Sequence, residues 1–127
     1  MKKVDVKNFK EAMEEQQDFC ETIFKKIKNE DYNLLTNNEV KEEIKRYATN
    51  IIEEAVEVLD LIGYKLHEPE KEIDFDHLRE ECVDVLKFLL NIINLCCKDE
   101  EEFWKEFSLK SSVVRDRLES ENRQGFK

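Results

Sequence analysis

The chain has 127 residues, which is enough for one domain with a single hydrophobic core and hardly enough for two. Only two glycines and one proline are present, which argues against a hairpin-rich β-sandwich or barrel. The 31 acidic residues outnumber the 21 basic ones, and the net charge of −10 disfavours binding to nucleic acid or to an anionic membrane surface. No apolar run reaches the roughly 18 residues that a membrane span requires.

The N-terminal residues do not resemble a secretory signal, because the two lysines are followed by no apolar segment. The four cysteines form no C-x-x-C pair and only two histidines accompany them, so a zinc site is poorly supported. We therefore expect a cytoplasmic protein whose cysteines are reduced and mostly buried on apolar helix faces.

Two helices are predicted in the first half of the chain. The first covers about residues 5–29, where apolar side chains recur every three or four positions. The second covers about residues 37–62 and begins after Thr36, which forms a capping-box pattern with Glu39. Gly63 is expected to end this helix, because glycine readily takes the left-handed conformation of a C-cap.

Two more helices are predicted in the second half. The third covers about residues 75–97, is capped by Asp74 and is apolar on most sides, which indicates a central position. The fourth is capped by the acidic residues 99–102, and the tail at about 120–127 has no periodicity and is expected to be mobile. Four amphipathic helices predict one all-α domain over residues 1–127, similar to a four-helix bundle and completed by oligomerisation.

Two pairs of acidic residues lie inside the two most apolar windows of the sequence. Glu54 and Glu57 form one pair, Glu81 and Asp84 the other, and a spacing of three places both members of a pair on one helical face. Four carboxylates directed into a bundle cannot all stay ionised without a cation. Oxygen ligands without histidine or cysteine suit Mg²⁺ or Mn²⁺. The spacing alone leaves open that these acids are solvated or paired with lysine and arginine.

The segments EEAVEVLD and EECVDVLKFLLNI contain E-x-x-E and, after 23 residues, E-x-x-D. They resemble the two metal-binding helices of the all-α nucleoside triphosphate pyrophosphohydrolases, which include MazG, the dimeric dUTPases and the dCTP pyrophosphatases. The resemblance runs from about residue 9 to the end and is sharpest over residues 50–95. It implies a homodimer or homotetramer that binds Mg²⁺, or Mn²⁺, through Glu54, Glu57, Glu81 and Asp84.

The reaction implied by the resemblance is hydrolysis of a deoxynucleoside triphosphate, with dUTP favoured, to the monophosphate and pyrophosphate. Glu53 and Glu80 flank the predicted ligands. Either one is a candidate for the base that activates the attacking water, or for a contact that orients a ligand.

Gln16 is a candidate for nucleobase recognition, because it lies on the apolar stripe of the first helix with Phe19 nearby. A buried amide needs hydrogen bond partners, and these can be a neighbouring helix or the edge of a base. Dimeric dUTPases carry a glutamine followed by an asparagine three residues later. Phe19 stands in that asparagine's place, or Cys20 does if Gln17 is the matching glutamine, so the base itself is left open.

The other candidate substrate residues are expected to contact the phosphates or the sugar. Lys65 in IGYKLHEP resembles the lysine of the P-W-K-x-W segment of dimeric dUTPases, and it is otherwise an exposed loop lysine. Asn91 lies seven residues after Asp84, an offset at which MazG-like proteins carry an asparagine, and it is otherwise a core amide. Lys110 and Arg117 match the K-x-x-x-N-x-x-R ending of dimeric dUTPases, and they are otherwise cations that favour a helix C-terminus.

Three functions are compatible with these patterns. The first is a dUTP-cleaving enzyme, and the second is a MazG-like house-cleaning pyrophosphohydrolase with broad base preference. The third is a non-catalytic helical interaction module, whose acids provide solubility and whose apolar faces bind a partner. The third hypothesis gives no reason for placing both acid pairs inside apolar windows.

Overall fold

The computed structural model describes residues 6–63, 67, 69 and 71–123. For residues 121–123 it describes the backbone only. Every regular element in these ranges is helical, so the predicted all-α class is confirmed. The α-helices are α1 (Phe9–Ile23), α2 (Asn37–Asp60), α3 (Phe75–Cys96) and α4 (Glu100–Arg123). A π-helical turn (Phe24–Lys28) continues α1, and a short 3-10 helix (Tyr32–Leu34) precedes α2.

The first helix begins later than predicted, at Phe9 instead of about residue 5. Asn8 has an extended backbone and acts as the N-cap, because its side chain accepts a hydrogen bond from the backbone N–H of Glu11 at 2.8 Å. The Glu11 carboxylate in turn accepts from the backbone N–H of Asn8 at 3.3 Å. This capping box fixes the start of the helix, and the apolar periodicity alone did not reveal it.

The N-caps predicted for the other three helices are all present. Thr36 Oγ1 accepts a hydrogen bond from the backbone N–H of Glu39 at 3.2 Å, and the capping box is complete. Asp74 accepts from the backbone N–H of His77 at 3.1 Å, and Asp99 accepts from the backbone N–H three residues later at 2.9 Å. These side chains satisfy donors that have no partner within the first helical turn.

Gly63 has the left-handed φ of +62° that was expected of the residue ending the second helix. The α-helix itself ends at Asp60, and a turn over residues 61–63 follows. A Cβ atom at Gly63 would lie 2.7 Å from the backbone carbonyl oxygen of Pro69. Any other residue at this position would therefore clash with that oxygen, in addition to adopting an unfavourable φ.

The structure divides into two compact units, and the boundary falls between Cys96 and Cys97. In the first unit α3 packs against both α1 and α2, which confirms its predicted central position. The buried core cluster joins Cys20, Phe24, Tyr32 and Tyr47. The Tyr47 hydroxyl lies 3.1 Å from the Tyr32 hydroxyl and 3.4 Å from Cys20 Sγ, so the buried polar atoms in this cluster have partners.

The second unit contains α4. Trp104 donates a hydrogen bond from Nε1 to Glu100 Oε1 at 2.9 Å, and its ring packs edge-on against Phe107 with centroids 5.3 Å apart. The tail beyond residue 123 lies outside the described residues, so its predicted mobility stays a prediction. The single domain over the whole chain also stays a prediction.

Many large apolar side chains of the first unit remain exposed in the single chain. On α2 they include Ile52 and Val56, and on α3 Val83 and Leu86. Cys82 and Cys96 are exposed as well, and only Cys20 of the four cysteines is buried. The expectation that most cysteines are buried was therefore wrong.

None of the described helices is long and apolar enough to cross a membrane.

Candidate metal centre and adjoining cavity

Three glutamates from two neighbouring helices meet in the first unit. Glu54 and Glu57 come from α2 and Glu81 comes from α3, and one carboxylate oxygen of each lies within 4.8 Å of the others. The spacing of three along α2 places both of its carboxylates on the face that α3 covers. The packing of α2 against α3 therefore brings together three of the four predicted metal ligands.

Two oxygens of this group are buried without a hydrogen bond partner among the described residues, Glu54 Oε2 and Glu81 Oε2. Glu81 is only 7% exposed. A buried carboxylate oxygen without a partner is costly, and a cation at this point would remove the cost. Because every donor in the group is a carboxylate oxygen, the residues fit a hard divalent cation such as Mg²⁺ or Mn²⁺.

The close approach of the carboxylates shifts their pKa values in opposite directions. A hydrogen bond to Glu81, together with burial and the charge of Glu57, raises the pKa of the Glu54 carboxyl to about 7. The hydrogen bond from Glu54 is the main cause that lowers the pKa of Glu81. In the absence of metal, a pKa of about 7 leaves Glu54 protonated below neutral pH, and this protonation would reduce the repulsion among the carboxylates.

Asp84, the fourth predicted ligand, lies outside the group of three. It is exposed, and its negative charge contributes to the raised pKa of Glu57. The two candidate bases, Glu53 and Glu80, are also exposed and lie outside the group. Their predicted role as base stays a prediction.

A cavity of about 340 Å³ lies between α1 and α3, a size within the range of small-molecule sites. Its lining includes Asp84 and three predicted substrate residues, Gln16 and Phe19 from α1 and Asn91 from α3. The remaining lining residues are Cys20, Thr22, Ile23, Lys87 and Phe88. Asp84 thus lines the cavity, and its charge adds to the raised pKa of Glu57, which is raised mainly by the hydrogen bond with Glu81.

Gln16 is buried in the wall of this cavity, as the apolar stripe predicted. Its Nε2 atom donates to Asn91 Oδ1 at 3.1 Å and lies 3.5 Å from the backbone oxygen of Lys87. A backbone carbonyl can only accept, so both contacts hold the amide nitrogen toward α3. Gln16 Oε1 is left buried with no partner in the described structure. The hydrogen bond to a neighbouring helix is therefore present, and an acceptor remains for a ligand.

The three predicted phosphate contacts, Lys65, Lys110 and Arg117, are not tested by the described residues of the first unit. Lys65 lies outside the described residues. Lys110 and Arg117 are exposed on α4, in the second unit. Their roles stay predictions.

Two residues of the site were missed by the sequence analysis. His77 lies one helical turn before Glu81, and its Nε2 atom is 3.3 Å from Glu81 Oε1. Lys87 lines the cavity, with its ammonium 5.7 Å from the centre of the Phe19 ring. The i, i+4 spacing of His77 and Glu81 was a readable signal. The contact of Lys87 with α1 depends on how the helices pack.

Comparison with known proteins identifies no relative. No protein-family model matches the chain, and neither a curated protein nor a solved structure matches it. The resemblance to the pyrophosphohydrolases therefore rests on the sequence segments quoted above, and the activity that it implies is taken up as a proposal.

Replacing Glu54 by glutamine is expected to change how the stability of the metal-free protein depends on pH. Because the pKa of Glu54 is raised to about 7 by folding, its proton stabilises the folded state at low pH, and this contribution is lost as the pH rises through that value. The variant cannot titrate at this position, so its free energy of unfolding should fall less than that of the wild type between about pH 5 and pH 7.5.

Urea unfolding with a chelator present, at several pH values, measures this difference. Glu42→Gln is the matched control, because Glu42 is an exposed glutamate of the same helix outside the carboxylate group. The same pH dependence in wild type and Glu54→Gln would contradict the raised pKa.

Proposed function

We propose that the protein is a Mg²⁺-dependent nucleoside triphosphate pyrophosphohydrolase that converts a deoxynucleoside triphosphate, dUTP in first place, to the monophosphate and pyrophosphate. The observation that supports this most strongly is the convergence of Glu54, Glu57 and Glu81, because Glu54 and Glu81 each have a buried oxygen without a hydrogen bond partner among the described residues. Its place of action would be the cytoplasm.

The carboxylates would bind the metal and hold it beside the substrate phosphates. Mg²⁺ in such a site neutralises phosphate charge and lowers the pKa of a bound water for in-line attack. Asp84, which lines the cavity and whose charge acts on Glu57, would complete the ligand set. Glu53 and Glu80 are the candidates for the base that accepts the proton of the attacking water. Mn²⁺ is the alternative cation. Lys65, Lys110 and Arg117 would supply positive charge to the phosphates.

The cavity would hold the nucleobase. Phe19 and Phe88 provide ring surfaces, while Gln16 Oε1 offers an acceptor and the amide nitrogen of Asn91 offers a donor. A base edge that carries a donor beside an acceptor satisfies both groups, and the imide edge of uracil has this pattern. Other bases carry such pairs as well, and this keeps the MazG-like enzyme with broad base preference as the alternative.

Glu57→Gln is expected to abolish nearly all turnover and the stabilisation by Mg²⁺, while helicity is kept, because the side chain retains its shape and loses the ligand charge. Pyrophosphate release from dUTP and thermal melts with and without Mg²⁺ measure both effects. Glu42→Gln, on the same helix, is the control and should behave as wild type. A variant that keeps more than about a tenth of the activity, a loss below about 1.4 kcal/mol, would exclude Glu57 as a ligand.

The same experiment separates the enzyme from a non-catalytic interaction module. The module predicts melts that do not respond to Mg²⁺ or Mn²⁺, and it predicts that removing a negative charge from the cluster is neutral or stabilising. The pyrophosphohydrolase hypothesis would be rejected if the wild-type protein released no pyrophosphate from any deoxynucleoside triphosphate and its melting temperature did not respond to either metal.

Gln16→Ala is expected to lower the ratio of dUTP to dCTP turnover, because a base bound in the cavity loses its partner. The cost to discrimination should be about 1–3 kcal/mol. Gln17→Ala is the matched control, because Gln17 bonds instead to Glu21 and Asn33 at 3.2 Å. An unchanged ratio with reduced stability would make Gln16 a purely structural amide.

A second copy of the chain would cover the exposed apolar side chains of α2 and α3 as a homodimer or homotetramer. Ile52 is 64% and Val83 49% exposed in the single chain, and apolar surface of this kind marks an interaction site. Sedimentation at about micromolar concentration should therefore show no folded monomer of 15.3 kDa. A stable and active monomer would contradict the shared interface.

A further inference from the structure

His77 occupies a fixed position at the start of α3, beside the carboxylate group. Its backbone N–H donates to the Asp74 cap at 3.1 Å, which anchors the residue in the first turn of the helix. Its ring reaches one turn along the helix, where Nε2 lies 3.3 Å from Glu81 Oε1. The ring is about half exposed, with 49% of the side chain accessible, whereas the Glu81 side chain is only 10% accessible.

The two oxygens of Glu81 therefore have different environments. Oε1 lies 3.3 Å from the ring nitrogen Nε2 of His77, and Oε2 is buried without a hydrogen bond partner among the described residues. Within those residues, no ion pair to lysine or arginine involves Glu54, Glu57 or Glu81. In the part of the chain that the structure describes, the ring of His77 is the basic side chain in contact with this carboxylate group.

We propose that His77 is a positioning residue of the metal centre: it holds Glu81 through Oε1 and so presents Oε2 to a divalent cation bound between Glu54, Glu57 and Glu81. This inference rests on the proposed metal site. Hydrogen bonds to a ligand carboxylate fix its orientation and commonly set metal affinity. Glu81 rotates about three side-chain bonds, so without His77 its carboxylate would have to be ordered when the metal binds.

A purely structural role for the contact is the competing explanation. An ion pair between residues four apart on a partly exposed helix surface contributes little to stability. Its loss would then alter the thermal melt slightly and leave metal binding unchanged. Metal affinity, measured on folded protein, is therefore the readout that separates positioning from a local helix contact.

Isothermal titration calorimetry with MnCl2 and with MgCl2, in the absence of nucleotide, tests the proposal. His77→Leu removes the donor, and the expected result is a loss of affinity of about 10–100-fold for both metals. His77→Gln retains an N–H donor at similar reach and should stay close to wild type. Arg79→Leu is the matched control, because Arg79 pairs with Asp76 on the exposed surface of the same helix turn. It should leave the affinity unchanged.

Circular dichroism measures whether each variant is folded. If His77→Leu does not fold, His77→Phe provides a second variant without a donor. Equal affinity of wild type and both donor-free variants would overturn the positioning role and leave the metal site intact. Wild-type protein that binds neither metal would overturn the proposed metal site itself, which is a distinguishable result. A large loss of affinity in His77→Gln would also overturn the proposal, because it would make the ring a direct ligand.

Discussion

Repulsion among three carboxylates at one point between α2 and α3 is the constraint on which the site depends. The helices pack tightly enough to bring the oxygens of Glu54, Glu57 and Glu81 within 4.8 Å of one another. Without metal, protonation of Glu54, whose pKa is raised to about 7, would relieve part of this repulsion. A cation and this proton would compete for the same oxygens, so metal binding and protonation are linked.

The α3 helix connects the carboxylate group with the cavity. The helix supplies Glu81 to the carboxylate group and Asp84 to the cavity lining, and Asn91 lies two turns after Asp84, where it accepts the hydrogen bond from Gln16. The Lys87 backbone carbonyl lies between these positions and helps to orient Gln16. A ligand that occupies the cavity would therefore contact the helix that supplies Glu81. Under the proposed function, the base would lie in the cavity and the phosphates would lie at the carboxylate group.

The conformations within each helix could be predicted from the sequence because they depend on neighbouring residues. The caps at Thr36, Asp74 and Asp99, the left-handed Gly63 and the central position of α3 were all predicted. The start of α1 at Phe9 was not predicted, because apolar periodicity continues past the capping box of Asn8. At the first turn of a helix, the hydrogen bonds of the N-cap decide where the helix begins, even where the apolar periodicity continues beyond it.

The sequence by itself determined the helices and placed the carboxylates of each pair on one helical face, since a spacing of three fixes the angle around the helix axis. Only the tertiary structure decided that Glu81 meets Glu54 and Glu57 while Asp84 stays outside, and that Gln16 directs its amide nitrogen toward Asn91. Spacing along a chain does not fix the distance between side chains on different helices. That distance depends on how the helices cross and on which rotamers their packing allows.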